Sequence, residues 1–359
     1  MKESCLNKYQ WMVSPKFDLC IFLGPVFFAT LISPIAYAYY PDSIPLWAFV
    51  SIIILFDVAH VWATNYKVYF DSVEIKRRPW FYLLPIPIFF SLSFVLLLYS
   101  ENLYWTILAY VAVFHFIKQP WGFVSIYKRK FKENSKFDLH FDKYMVWAAG
   151  LYPVFIWHSS PARVFDWFNA GESFIVKLPY QIIPYLMFFY VAGIIVYISR
   201  QIYLYKKTSK INLPKLILMT AIYITWAVGI YMTNPIISAA FLNLFHGVPF
   251  FAIIWIYSKN KYIDQDSIYP KLSFIFQRKT IFLFIAIVFI PALIEEFLWD
   301  QLIWHIYLPN TSFIDLGFQL KALVIALLSL PQIIHYWLDM FIWKMDENKN
   351  PDLKKYLLI

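Results

Sequence analysis

Charge and glycine are both scarce in this chain: Asp, Glu, Lys and Arg make up 15% of its 359 residues, and glycine occurs only 8 times. So little charge does not suit the surface of a soluble domain. Cysteine is nearly absent, with only Cys5 and Cys20. Their placement excludes a disulfide framework and a cysteine-based metal site, and both are expected on a reducing, cytoplasmic side. No low-complexity stretch or internal repeat is evident, and the longest connections, at roughly twenty residues, leave no room for a soluble domain. The N-terminal M-K-E-S-C-L-N-K-Y-Q-W-M-V-S-P-K lacks a short apolar core and a small-residue cleavage site. The first apolar run is therefore expected to be retained rather than removed as a signal peptide.

What is present is apolar and aromatic. Hydrophobic residues make up 61% and aromatic residues 22% of the chain, and the mean hydropathy is +0.57. Repeated runs of about 18 to 25 apolar residues predict transmembrane helices. The expected fold is an all-α, polytopic bundle forming a single transmembrane domain over residues 1–359. Its ten spans are placed near 18–39, 46–67, 80–99, 103–124, 144–159, 180–204, 214–233, 235–257, 279–299 and 319–343.

The net charge of +9 invites a nucleic-acid partner, but Lys and Arg gather in cytoplasmic loops of membrane proteins as a matter of topology. With the N-terminus inside, 28 of the 31 Lys and Arg residues fall on the inner side, leaving Arg163, Lys177 and Lys321 outside. Both termini are thus expected in the cytoplasm, of a bacterial inner membrane, with membrane lipids and no nucleic acid as partners. The inner loop Y-K-R-K-F-K-E-N-S-K is expected to meet anionic headgroups.

Against this background the histidines divide by position. His140 falls in an inner loop, and His158 and His305 in outer connections. His60, His115, His246 and His335 lie within the second, fourth, eighth and tenth spans, each in the later part of a span running inward. Four independently placed histidines would not be expected to share one depth. Each has a polar residue at helical spacing: Asp57 before His60, Gln119 after His115, Asn243 before His246, and Gln332 and Asp339 flanking His335. On the second span Asp57, His60, Thr64, Lys67 and Asp71 occupy an arc of roughly 80° at 100° per residue. An ionisable group at the bilayer centre costs at least about 2.5 kcal/mol, so that face must turn inward.

A single membrane histidine is more often an interhelical hydrogen-bonding group than a ligand. Four at one depth point to a metal, since imidazole is a common ligand of iron, zinc and copper, with carboxylates either ligating or orienting the ring. The candidate ligands are His60, His115, His246, His335, Asp57 and Asp339, and the candidate catalytic residues are Asp57, His60, His335 and Asp339. Asn243, Gln119 and Gln332 read as helix glue, Lys67, Lys118 and Asp71 as interfacial residues, and Trp62, Tyr66, Tyr69, Trp121, Tyr336 and Trp337 as packing. The acidic stretch I-E-E-F-L-W-D, with Glu296 and Asp300 one turn apart, is expected at the outer end of the ninth span, away from the histidines.

The clustered H-x-x-H-H boxes of membrane desaturases and hydroxylases are absent. In ligand count the four histidines resemble those of the membrane carotenoid oxygenases that cleave β-carotene, in which single transmembrane histidines hold iron. The resemblance covers four positions and no continuous motif, and it transfers no residue role. The expected function is a non-haem iron oxidoreductase or oxygenase acting on a lipid or other apolar substrate from the cytoplasmic half of the bilayer. Zinc or copper would suit the same donors. The alternatives are haem b held by paired histidines, a transporter with Asp57, His60, His335 and Asp339 as a proton relay or substrate site, and a metal-free lipid transferase with one histidine as base.

Overall fold

The computed structural model describes residues 11–159, 178–231, 234–307 and 316–358. Lys2, Cys5, Lys8, Arg163 and Lys177, placed above by side of the membrane, lie outside the described residues; Cys20 is exposed and unbridged. All regular structure among the described residues is helical, confirming the all-α bundle. Ten long helices follow in order: α1 Pro15–Tyr39, α2 Leu46–Tyr66, α3 Pro79–Tyr99, α4 Glu101–Lys130, α5 Lys136–Ser159, α6 Tyr180–Thr208, α7 Leu213–Tyr231, α8 Pro235–Asp264, α9 Arg278–Trp304 and α10 Gly317–Asp339.

Eight of these are long and apolar enough to cross a membrane, as a multi-pass membrane protein requires. Of the other two expected spans, α5 falls short: its first turns carry Lys136, Asp138, Asp142 and Lys143, so its apolar part is shorter than the ~20 residues a bilayer needs. α7 is apolar over Leu213–Gly229.

Two compact units make up the chain. One comprises Met1–Ser43 and Ala112–His246, the other Ile44–Val111 and Gly247–Leu358, so each takes part of α4 and part of α8. In the first unit α7 packs on α5 and α1, and α5 on α6. Its helix starts are set by side chains. Ser14 caps α1 by accepting from Phe17 N–H at 3.2 Å, with Pro15 in the first turn, where a missing N–H costs nothing. Asn234 caps α8 through Oδ1, which accepts from Ile236 and Ile237, while its Nδ2 donates to Tyr40 O at 2.7 Å. Away from these ends Lys128, Lys215, Glu133 and Asp142 form a buried ionic network, with Lys215 Nζ 2.9 Å from Glu133 and 3.3 Å from Asp142. That network is why a charged helix start is tolerated in α5: each buried charge has an opposite partner.

In the second unit α2 packs on α9 and α10, and α10 on α3. Its core joins Ile54, Ala59, Tyr66, Phe250, Tyr262 and Phe284. Beyond α2 the short helix Ser72–Arg77 is capped by Asp71 and holds the buried Glu74, which accepts from Arg77, Arg78 and Tyr82. Burial alone would raise the Glu74 carboxyl, but the bonds from Arg77 and Tyr82, the charge of Lys67 and the bond from Arg78 hold it down at about 2. A depressed carboxyl contributes stability that is present above its unfolded value near 4.5 and is lost as the pH falls toward 2. Thermal midpoints of the purified protein should therefore fall across that window, and Glu74→Gln should flatten the slope while lowering the midpoint at neutral pH. An unchanged slope in Glu74→Gln would show that other carboxylates carry it.

α2 and α8 depart from α-helical winding. Phe49–Val58 in α2 and Ala240–Leu244 in α8 are π-helical. At the end of the first stretch the Ala59 N–H reaches back five residues to Ile54 O. Such wider turns are rare and concentrate at functional sites. His60 and His246 each lie two residues beyond one of them.

Candidate metal centre

The first unit supplies a histidine pair from α4 and α8. His115 and His246 are each 3% exposed, and their Nε2 atoms are 3.1 Å apart. The Phe116 ring stacks on His246 at 4.1 Å between centroids and 10° between planes, fixing the ring orientation. Gln119 Nε2 donates to the His246 carbonyl at 3.2 Å. Gln119 thus ties α4 to α8, as helix glue. A small cleft of about 10 Å3, room for about one water, lies beside His246, lined by Phe116, Pro120, Trp226, Leu242, Phe245 and the fully buried Thr225. Its walls are apolar apart from His246 and Thr225, whose hydroxyl has no hydrogen-bond partner among the described residues.

The second unit supplies a pair from α2 and α10. His60 and His335 are 0% and 1% exposed, and their rings meet edge to face at 4.7 Å. Phe250 packs against both. His60 Nδ1 lies 3.1 Å from Phe56 O and 3.9 Å from Asp57 Oδ1. His335 Nδ1 lies 2.8 Å from Thr64 Oγ1. When Nδ1–H is donated to an oxygen, the lone pair resides on Nε2, which is then the ligand atom.

The four histidines form one buried group: one ring nitrogen from each lies within 4.8 Å of the other three. The group can hold a metal ion. Metal–imidazole bonds of about 2.0–2.1 Å place two nitrogens on one ion roughly 2.8–3.0 Å apart at a right angle and roughly 3.3–3.4 Å apart at the tetrahedral angle. The 3.1 Å between His115 and His246 lies between the two.

Among the sequence candidates, the structure brings together the four imidazoles without requiring a carboxylate. Asp57 stands behind His60, on the Nδ1 side, and Asp339 is buried near the end of α10. Asn243 is buried in the π-helical turn before His246, and Gln332 donates to Tyr336 at 2.5 Å. The remaining histidines stay apart, with His140 and His158 turned back to carbonyls of their own helix and His305 ending α9 in a left-handed conformation.

Two partners had not been singled out for these roles. Thr64 belongs to the polar arc of α2, but its bond to His335 could not be read from one helix. Trp62 donates to Glu295 at 2.7 Å, which ties the acidic stretch of α9 to α2 two residues beyond His60. Asp300 instead accepts from Ile306 and Tyr307 N–H and closes the end of α9. No protein-family model, curated protein or solved structure matches the chain.

Proposed function

We propose that the chain is a membrane-embedded non-haem iron oxidoreductase acting on a lipid or another apolar molecule, with His60, His115, His246 and His335 holding one iron ion. The observation that carries this reading is the convergence of four buried imidazole nitrogens within 4.8 Å. An imidazole-only donor set suits iron, zinc and copper, and leaves coordination positions for small ligands. Bound iron would supply the electrons for activating dioxygen beside an apolar substrate.

The protein's own part is orientation. Phe56 O fixes the tautomer of His60, Thr64 Oγ1 holds the His335 ring at Nδ1, and Phe116 holds the plane of His246. Asp57 places a carboxylate 3.9 Å behind His60 Nδ1. Apolar side chains surround His246, so the ligand set sits in a largely apolar wall. Two axial nitrogens on one haem iron stand about 4 Å apart, twice the ~2.0 Å bond, and the 3.1 Å between His115 and His246 is shorter than that.

Purified protein should carry about one iron per chain and, once reduced, give a nitric-oxide adduct visible by electron paramagnetic resonance. Stoichiometric zinc would keep the metal centre and remove the redox chemistry. No metal at all, in protein purified without chelator, would end both.

A further inference from the structure

The polar arc that begins on α2 runs on past the metal centre to Lys67 and Asp71. Asp57 and His60 face each other, Thr64 meets His335, and Asp71 accepts from Lys261 Nζ and Tyr269 OH, each at 2.5 Å. Lys67 is different. It is 3% exposed, yet among the described residues its ammonium has no hydrogen bond or ion pair. It stands over the Tyr257 ring at 3.9 Å and 5.5 Å from the Trp343 ring.

The surrounding charges do not balance. Glu74 is taken by Arg77 and Arg78, and Asp71 and Asp352 are taken by Lys261. Three carboxylates therefore face four cations, and the surplus charge resides on Lys67. An aromatic face returns about 2 kcal/mol to a desolvated cation, whereas an unpaired buried charge costs several. An anion beside the ammonium would close that gap. Lys67 directly follows the last residue of α2, where a membrane-spanning helix reaches the headgroup level, and two aromatic rings beside it suit the first carbons of an amphiphile.

We infer that Lys67, boxed by Tyr257 and Trp343, binds the anionic headgroup, carboxylate or phosphate, of a membrane amphiphile. This site goes beyond the metal centre and does not depend on it. The full-length protein in neutral detergent is titrated with oleate, dioleoylphosphatidylglycerol, oleyl alcohol or inorganic phosphate, reading the thermal midpoint. Oleate or the phosphatidylglycerol should raise it, while oleyl alcohol and inorganic phosphate should not. Lys67→Met and Lys67→Gln should each weaken the response by about tenfold or more, the scale of one lost charged hydrogen bond, with Lys67→Arg within about threefold of wild type.

Metal content should be unchanged in all three variants, so a failure of the metal reading would leave this result standing. An equal response in Lys67→Met or Lys67→Gln, or no response of the wild type to either anionic amphiphile, would overturn the assignment. So would an equal shift with oleyl alcohol, and an equal shift with inorganic phosphate would assign a free-anion site instead. Should both neutral variants fail to fold, mass spectrometry of lipid retained by wild type decides: retained anionic amphiphile supports the site and its absence overturns it.

Discussion

Single replacement of His60, His115, His246 or His335 by alanine is expected to abolish metal retention, with occupancy falling from about one ion per chain to under about a tenth after dialysis against a mild chelator. Loss of an outer hydrogen-bond partner alone costs roughly 10–100-fold in metal affinity, and loss of a ligand should cost more. Each of the four nitrogens lies within 4.8 Å of the other three, so no one of them is peripheral. The four variants should behave alike, whereas His140→Ala and His158→Ala should keep the metal, since both rings are turned to carbonyls of their own helix. Thr64→Val should lie between, at about 10–100-fold weaker binding, because His335 Nδ1 loses the oxygen that holds its ring. Elemental analysis of the purified variants reads all of this. Retention of metal in every alanine variant would make the four histidines a hydrogen-bonding cluster.

Much of this site is legible in one sequence because a membrane restricts where polar groups can go. Lys and Arg positions orient the helices, orientation places each histidine at a depth, and four equal depths predict convergence. The helices themselves follow from apolar runs, and α5 misses because its first turns are charged. What depends on contacts across helices was not legible. Thr64 and His335 are far apart in the chain, as are Trp62 and Glu295, and no spacing rule joins them. Gln119 does act as helix glue, although the atom it meets, the His246 carbonyl on α8, follows from no spacing rule. The π-helical turns are a further case. A face computed at 100° per residue assumes α winding throughout, and Phe49–Val58 advances by less per residue. Asp57 consequently lies 3.9 Å from His60 Nδ1, behind the ring, and does not join the nitrogens in the cluster.

Gly247→Ala is expected to destabilise the protein and weaken metal binding together. A Cβ on Gly247 would run into the backbone carbonyl of Phe56, on α2, well inside contact distance from the oxygen and 2.8 Å from the carbon. Backbone cannot swing aside as a flexible side chain can, so the cost should reach or exceed the upper end of overpacking, about 3 kcal/mol. The obstructed carbonyl is also the acceptor for His60 Nδ1 at 3.1 Å. Moving it reorients the His60 ring, and an outer-partner loss of about 10–100-fold in metal affinity should accompany the lower melting temperature. Gly24→Ala and Gly122→Ala are the controls, because a Cβ at either position meets nothing within 4 Å. In mid-helix they should be neutral or stabilising by roughly 0.5–1 kcal/mol, with unchanged metal. Thermal unfolding and metal titration of the three variants separate the roles. A destabilised Gly247→Ala with wild-type metal affinity would confine Gly247 to packing, and an undisturbed melting temperature would mean that α8 and α2 do not approach as closely as glycine allows.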